Sequence, residues 1–179
     1  MKKLSKEDPK NTHENNNLTE SGTLYIISTP IGNLEDITLR AIKLLKFVDI
    51  LLCEDTRKTK KLLLHLKIKR RNLISYNDYN AAIKRPYVIQ QLISKKNIGL
   101  VSDAGTPLIS DPGYKLVQDC YLDKIRVTHA PGPSSVINSL VLSGLPSDQF
   151  YFGGFVSSKL SNKEKQFLLT QSNIMTGVW

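Results

Sequence analysis

The chain has 179 residues, 40% hydrophobic and 23% charged, the balance of an ordinary soluble globular domain and not of a disordered, collagen-like or disulfide-scaffold chain. Its two cysteines, Cys53 and Cys120, lie in separate apolar stretches with no CxxC or Cys/His cluster around them, which excludes a zinc site by spacing and fits a reducing compartment. The net charge of +9 is unevenly placed: eight basic residues and no acid lie between Arg57 and Arg71, a local field of the kind that attracts polyanions.

Residues 1–21 are rich in Asn, poor in hydrophobes and balanced in charge, and are expected to be a disordered leader. They lack the apolar core of a signal peptide, and no apolar run in the chain approaches the roughly 18 residues of a membrane span. From Thr23 the pattern changes. Leu24-Tyr-Ile-Ile-Ser28 predicts a buried strand that ends at the turn signal Thr29–Asn33, with Asp36 expected to cap a helix carrying Ile37, Ala41, Leu44, Leu45 and Val48. Asp49–Cys53 predicts a second strand, followed by Glu54-Asp-Thr-Arg57 and a basic helix with Leu62, Leu63, Leu64 and Leu66 on its buried side.

Asn72–Tyr76 is a third strand candidate. A helix over 81–96 follows, which Pro86 must start or kink. Ile98–Ser102 predicts a fourth strand running into the breaker-rich loop Asp103–Gly113. A helix over 114–122, a strand over 125–129, the loop Ala130–Ser135, a helix over 136–143, a strand candidate over Phe150–Phe155 and a helix over 161–170 complete the pattern. Buried apolar strands alternating with helices predict an open, mainly parallel five-stranded sheet with helices on both faces. The expected organisation is a leader over 1–21, an α/β domain over 22–148 and the start of a second domain over 149–179.

Parallel strands bring the loops that follow them to one edge. Pro30–Asn33, Glu54–Arg57, Asp103–Pro107 and Pro131–Ser135 are therefore expected to share a rim, where ligands of such sheets bind. Gly32, Gly105 and Gly132 allow close backbone approach, Asp103 offers a carboxylate at a strand end, and Ser134 and Ser135 stand at a helix start. No dinucleotide fingerprint, P-loop or GxSxG motif occurs. The three histidines (His13, His65, His129) read as core or surface residues rather than catalysts.

Ser28-Thr-Pro-Ile-Gly-Asn-Leu34, Glu54-Asp-Thr-Arg57, Val101-Ser-Asp-Ala-Gly-Thr-Pro-Leu-Ile-Ser-Asp-Pro-Gly113, Ala130-Pro-Gly-Pro-Ser134 and Gly144-Leu-Pro-Ser-Asp148 occur in this order. Over residues 22–156 the chain resembles the small-subunit ribosomal RNA methyltransferase I family of the tetrapyrrole methylase superfamily. The resemblance implies S-adenosylmethionine as methyl donor, methylation of a cytidine ribose 2′-OH in the decoding region of 16S rRNA, the small ribosomal subunit as partner, and a cytoplasmic homodimer. By matching motif, Pro30, Asp103, Gly105, Thr106, Ser134 and Ser135 would lie at the cofactor. Glu54, Asp55 and Arg57 would serve catalysis, with Glu54 and Asp55 as candidate bases. Arg57, Lys58, Lys60, Lys61, Arg70 and Arg71 would hold the RNA backbone. No metal is implied.

Two departures from the family stand out. A His-Glu-His-Asn-like motif is replaced by Tyr76-Asn-Asp-Tyr-Asn80, so Asn77 and Tyr79 stand at its histidine positions. The family also continues into a second α/β domain across the cofactor, whereas this sequence ends at Asn173–Trp179 without a closing pattern. The expectation is a truncated chain that binds the methyl donor poorly or not at all and exposes apolar surface. Two other functions fit the same residues: methylation of an anionic tetrapyrrole of the cobalamin-precursor type, and a non-catalytic RNA-binding remnant.

Overall fold

A computed structural model describes residues 21–69, 72–171 and 175–179. Most of the expected leader, and Arg70 and Arg71, lie outside the described residues.

The apolar runs form strands β1 (Thr23–Ile27), β2 (Ile50–Cys53), β3 (Leu73–Ser75), β4 (Ile98–Val101) and β5 (Arg126–Ala130). All pair in parallel in the order β3-β2-β4-β1-β5, with Leu24 beside Ile98, Ile50 also beside Ile98, and Ile27 beside Ala130. Helices α1 (Leu39–Phe47), α2 (Thr56–His65), α3 (Ala81–Ile93), α4 (Tyr114–Leu122) and α5 (Ser135–Ser143) follow the five strands.

The side-chain period of two divides the core. Leu24, Ile26, Ile50, Leu52, Ile98 and Leu100 face α3 and α4 through Val88, Leu92, Leu116 and Cys120. Ile27, Leu51, Cys53, Val101 and Ala130 face α1 and α2 through Ala41, Leu45 and Leu63. Both faces of β2 and β4 are thus covered, as their unbroken apolar sequences require. Each fully buried leucine contributes about 1.5–3 kcal/mol of transfer free energy.

Several local expectations shift. Asp36 does not cap α1. It ends a short 3₁₀ turn, Leu34–Asp36, capped by Asn33, and Ile37 and Thr38 are extended, so the helix cannot begin before Leu39. Thr38 is its cap, its hydroxyl accepting from the Ala41 N–H at 3.1 Å. In α2, Thr59, Leu62 and Leu63 are buried whereas Leu64 is exposed, because 100° per residue carries it off the stripe. Pro86 stands on the exposed side of α3, inside the helix rather than at its start. The sixth expected strand, β6 (Phe150–Phe152), does not join the main sheet. It pairs in parallel with β7 (Thr176–Val178), which the sequence pattern did not indicate, with α6 (Leu160–Gln171) between them. Trp179 packs edge-on against Tyr151 and Phe167 there. Among the described residues no helix is long and apolar enough to cross a membrane.

Candidate active site

β1 and β4 are neighbours, yet their onward connections run to opposite faces, one through α1 and the other through α4. Such a parting of loops opens a crevice at the carboxyl ends of the strands. The loops of this rim are tied together. Thr29 and Gly105 exchange backbone hydrogen bonds of 2.9 and 3.0 Å, and the Thr29 hydroxyl donates to the Ser102 carbonyl at 3.3 Å. Gly105 has φ +83°, and an added Cβ would stand 3.1 Å from Ile31 Cδ1, so glycine suits this crossing on two counts. Pro30 beside it is buried.

The loop after β5 joins through hydroxyls. Thr106 Oγ1 donates to the Pro133 carbonyl at 2.9 Å, and Ser28 Oγ lies 3.0 Å from Thr106 Oγ1 and 3.2 Å from His129 Nε2. Proton counting sets the directions. The one Thr106 hydroxyl proton goes to Pro133, so Ser28 donates to Thr106 and His129 donates Nε2–H to Ser28. Partial burial, followed by the nearby Arg40 guanidinium, pushes the His129 pKa down. At Gly132 the backbone passes so close that a Cβ would come within 2.9 Å of Ser28 Cβ. Ser134 precedes α5 without a side-chain capping bond, and Ser135 opens the helix with its side chain exposed.

A charged cluster lies beside this knot. Asp103 Oδ1 accepts from the Asp55 N–H at 3.0 Å, Asp103 Oδ2 pairs with Lys58 Nζ at 2.7 Å, and the Asp103 N–H donates to Glu54 Oε2 at 3.4 Å. The ends of β2 and β4 are thereby held face to face. Burial, and after it the neighbouring Asp103 carboxylate, push the Glu54 pKa up. Asp55 behaves oppositely. Its carboxylate accepts from the Arg57 backbone N–H at 2.8 Å and from the Arg57 guanidinium at 2.7 Å, which hold its pKa down to about 2. Asp55 is therefore the cap of α2 and an anchor for Arg57.

Glu54, Asp55, Thr56, Arg57, Ser75, Asn77, Tyr79 and Asp103 line a cleft of about 400 Å³. Arg57, Lys58, Lys60 and Lys61 are exposed along α2, with Lys67 and Lys69 beyond its end. Of these, Arg57 and Lys58 already pair with carboxylates of the cluster. The rim thus brings together Pro30, Glu54, Asp55, Arg57, Lys58, Asp103, Gly105, Thr106 and Ser134.

Sequence reasoning did not single out Ser28, Thr29 or Ser102 as site residues, although Ser28 and Ser102 directly follow strands on this rim and Thr29 comes next. It also set His129 aside as a core or surface residue, whereas its Nε2 lies 3.2 Å from Ser28 Oγ, remote along the chain.

An open parallel α/β sheet with glycine- and hydroxyl-bearing loops knotted at its carboxyl edge defines a small-ligand-binding domain of the doubly wound kind. The model of the tetrapyrrole (corrin/porphyrin) methylases matches residues 23–175, and the chain belongs to that family. A protein of Rickettsia prowazekii named ribosomal RNA small subunit methyltransferase I is 51% identical over 148 residues, covering 80% of this chain and 51% of that protein. One of the same name from Escherichia coli O157:H7 is 50% identical, covering 77% of this chain and 48% of its own length. The chain spans about half the length of these curated relatives. Among solved structures, uroporphyrin-III-C-methyltransferase from Thermus thermophilus matches with TM-score 0.56 at 17% identity, over 83% of this chain and 74% of that one. A Thermus thermophilus uroporphyrin-III C-methyltransferase complexed with S-adenosyl homocysteine matches with TM-score 0.52 at 21% identity, over 73% of this chain and 58% of its own. These two likenesses show the fold.

Proposed function

We propose that the chain forms the first half of an S-adenosylmethionine-dependent RNA methyltransferase that modifies a cytidine ribose 2′-OH in 16S rRNA of the small ribosomal subunit. The observation that carries this reading is the knot at the switch point, where Thr29, Gly105, Ser28, Thr106 and Pro133 join three loops beside a carboxylate cluster. Relatives of about 50% identity that carry the rRNA methyltransferase name support it over tetrapyrrole methylation.

The donor set fits the methyl donor. Asp103 provides carboxylate acceptors suited to ribose hydroxyls, and the backbone at Gly105 offers a close surface without a side chain. Ser134 and the first turn of α5 present a hydroxyl and N–H groups suited to a carboxylate. When bound, S-adenosylmethionine supplies an electrophilic methyl group on a sulfonium. The chain's own part is placement, exclusion of water and handling of one proton. Glu54, the acid of the cluster without a cation on its carboxylate in the network described, is the base for the ribose hydroxyl. Lys60 and Lys61 on α2 hold flanking phosphates.

On this reading residues 22–148 are the N-terminal α/β methylase domain and 149–179 the start of a second domain. The protein works in the cytoplasm, as a homodimer. The test is transfer of a labelled methyl group from S-adenosylmethionine to small ribosomal subunits lacking the modification. Label is expected at a cytidine 2′-O of 16S rRNA. Transfer to a tetrapyrrole in its place would overturn the assignment.

A further inference from the structure

Tyr79 is 96% exposed, yet the turn that carries it is tightly held. The Asn77 N–H donates to Asn80 Oδ1 at 3.0 Å, the Asn80 N–H donates to Asn77 Oδ1 at 3.3 Å, and the Ala81 N–H donates to the Asn77 carbonyl at 2.8 Å. Both asparagine amides also donate to Ser75 Oγ at 3.3 Å. A phenol ring held out in water from so well bonded a turn keeps apolar surface hydrated, so a partner that covers it gains free energy, and a rigid support lowers the entropy cost of that contact.

Tyr79 lines, with Glu54 and Asp103, the cleft of about 400 Å³, a volume within the range of small-ligand pockets. Arg57 and Lys58 offset the charges of Asp55 and Asp103, which leaves Glu54 as the carboxylate of the cleft lining outside the ion pairs described. An aromatic platform, carboxylates able to accept from ribose hydroxyls or an exocyclic amine, and cations on the neighbouring helix are the three elements that hold an unstacked nucleoside.

We propose that this cleft receives one unstacked nucleoside of the substrate RNA, with its base stacked on Tyr79 and its ribose turned toward Glu54. The proposal rests on the RNA reading above and adds the side chain that grips the base.

The test measures binding of the full chain to a labelled single-stranded RNA oligonucleotide, over a range of salt, for the native protein, Tyr79→Ala, Tyr79→Phe and Lys60→Gln. Tyr79→Ala is expected to weaken binding about 5- to 150-fold, the loss that corresponds to ~1–3 kcal/mol of stacking per base. Tyr79→Phe, which keeps the ring, is expected to bind like the native protein. The slope of log affinity against log salt should be unchanged in Tyr79→Ala and shallower in Lys60→Gln, because only the second removes a phosphate contact. Salt-dependent binding by the native protein that Tyr79→Ala leaves intact would overturn the stacking role while the RNA reading stood. Absence of RNA binding by the native protein at low salt would overturn both. Since Tyr79 is so exposed, an unchanged melting curve for Tyr79→Ala is expected and separates lost stacking from lost folding.

Discussion

Thr29 and Gly105 exchange two backbone hydrogen bonds across the point where the chain's connections part to opposite faces of the sheet. This isolated antiparallel bridge lies beyond the parallel ladder of β1 and β4, whose last pair is Ile26 beside Leu100. Everything else on the rim is arranged around it: Asp103 to one side, Thr106 and Pro133 to the other.

Gly105→Ala tests that crossing. The positive φ and the Ile31 side chain 3.1 Å from the added Cβ oppose the methyl group. The expected loss is about 1–2 kcal/mol, the cost of a left-handed conformation in a residue with a side chain, read from urea unfolding. Binding of S-adenosylmethionine, followed by calorimetry, should weaken with it.

Glu54 and Asp55 are adjacent, but their environments divide them. In the proposed reaction Glu54 must be ionised, so the rate should rise with pH and level off above a midpoint higher than an ordinary carboxylate's, in line with its raised pKa. Glu54→Gln should lower turnover by roughly 10²–10⁴-fold, the usual contribution of a positioned base. It should not lower stability at neutral pH, because a carboxylate whose folded pKa is raised is carried ionised at a cost. Methyl-transfer rates across pH, with melting curves for both proteins, check the pair of outcomes.

Asp55 should act on acid stability instead. Its pKa falls from 3.8 in its ordinary state to about 2 in the folded protein through Arg57. The folded state therefore gains from its ionisation above about pH 4 and loses that gain as pH drops toward 2. Asp55→Asn should flatten this part of the acid-unfolding curve, measured by circular dichroism. Because the Arg57 side of the pair stands in solvent, salt should shrink the difference.

The basic helix makes a separate claim. Lys60 and Lys61 are exposed, and no carboxylate pairs with them among the ion pairs described. Replacing both by Gln should reduce the salt slope of RNA binding by about 0.7 per lost contact to a single strand, and should affect different sequences alike. Filter binding at several salt concentrations measures it.

The elements that were legible are those written in local pattern. The unbroken runs at Ile50–Cys53 and Ile98–Val101 announce strands buried on both faces, and that is how they lie. The glycine- and proline-rich stretch after Val101 announces the loop, whatever it touches. Less legible was whatever depends on a partner. Thr38, not Asp36, caps α1, because the backbone of Ile37 and Thr38 remains extended beyond the turn. Leu64 resembles its neighbours in type but points to solvent, and β6 finds β7 instead of the main sheet.

The residues by themselves determined that this chain is a parallel α/β domain with its polar loops on one rim, since strand polarity, the period of two and the turn residues act over a few positions at a time. Tertiary structure alone decided that Asp103 would meet Lys58 and Glu54, and that His129 would reach Ser28. The strand order sets these encounters. Glu54 is raised by burial and by Asp103, which lies far away along the chain, whereas Asp55 is lowered by Arg57 only two positions on.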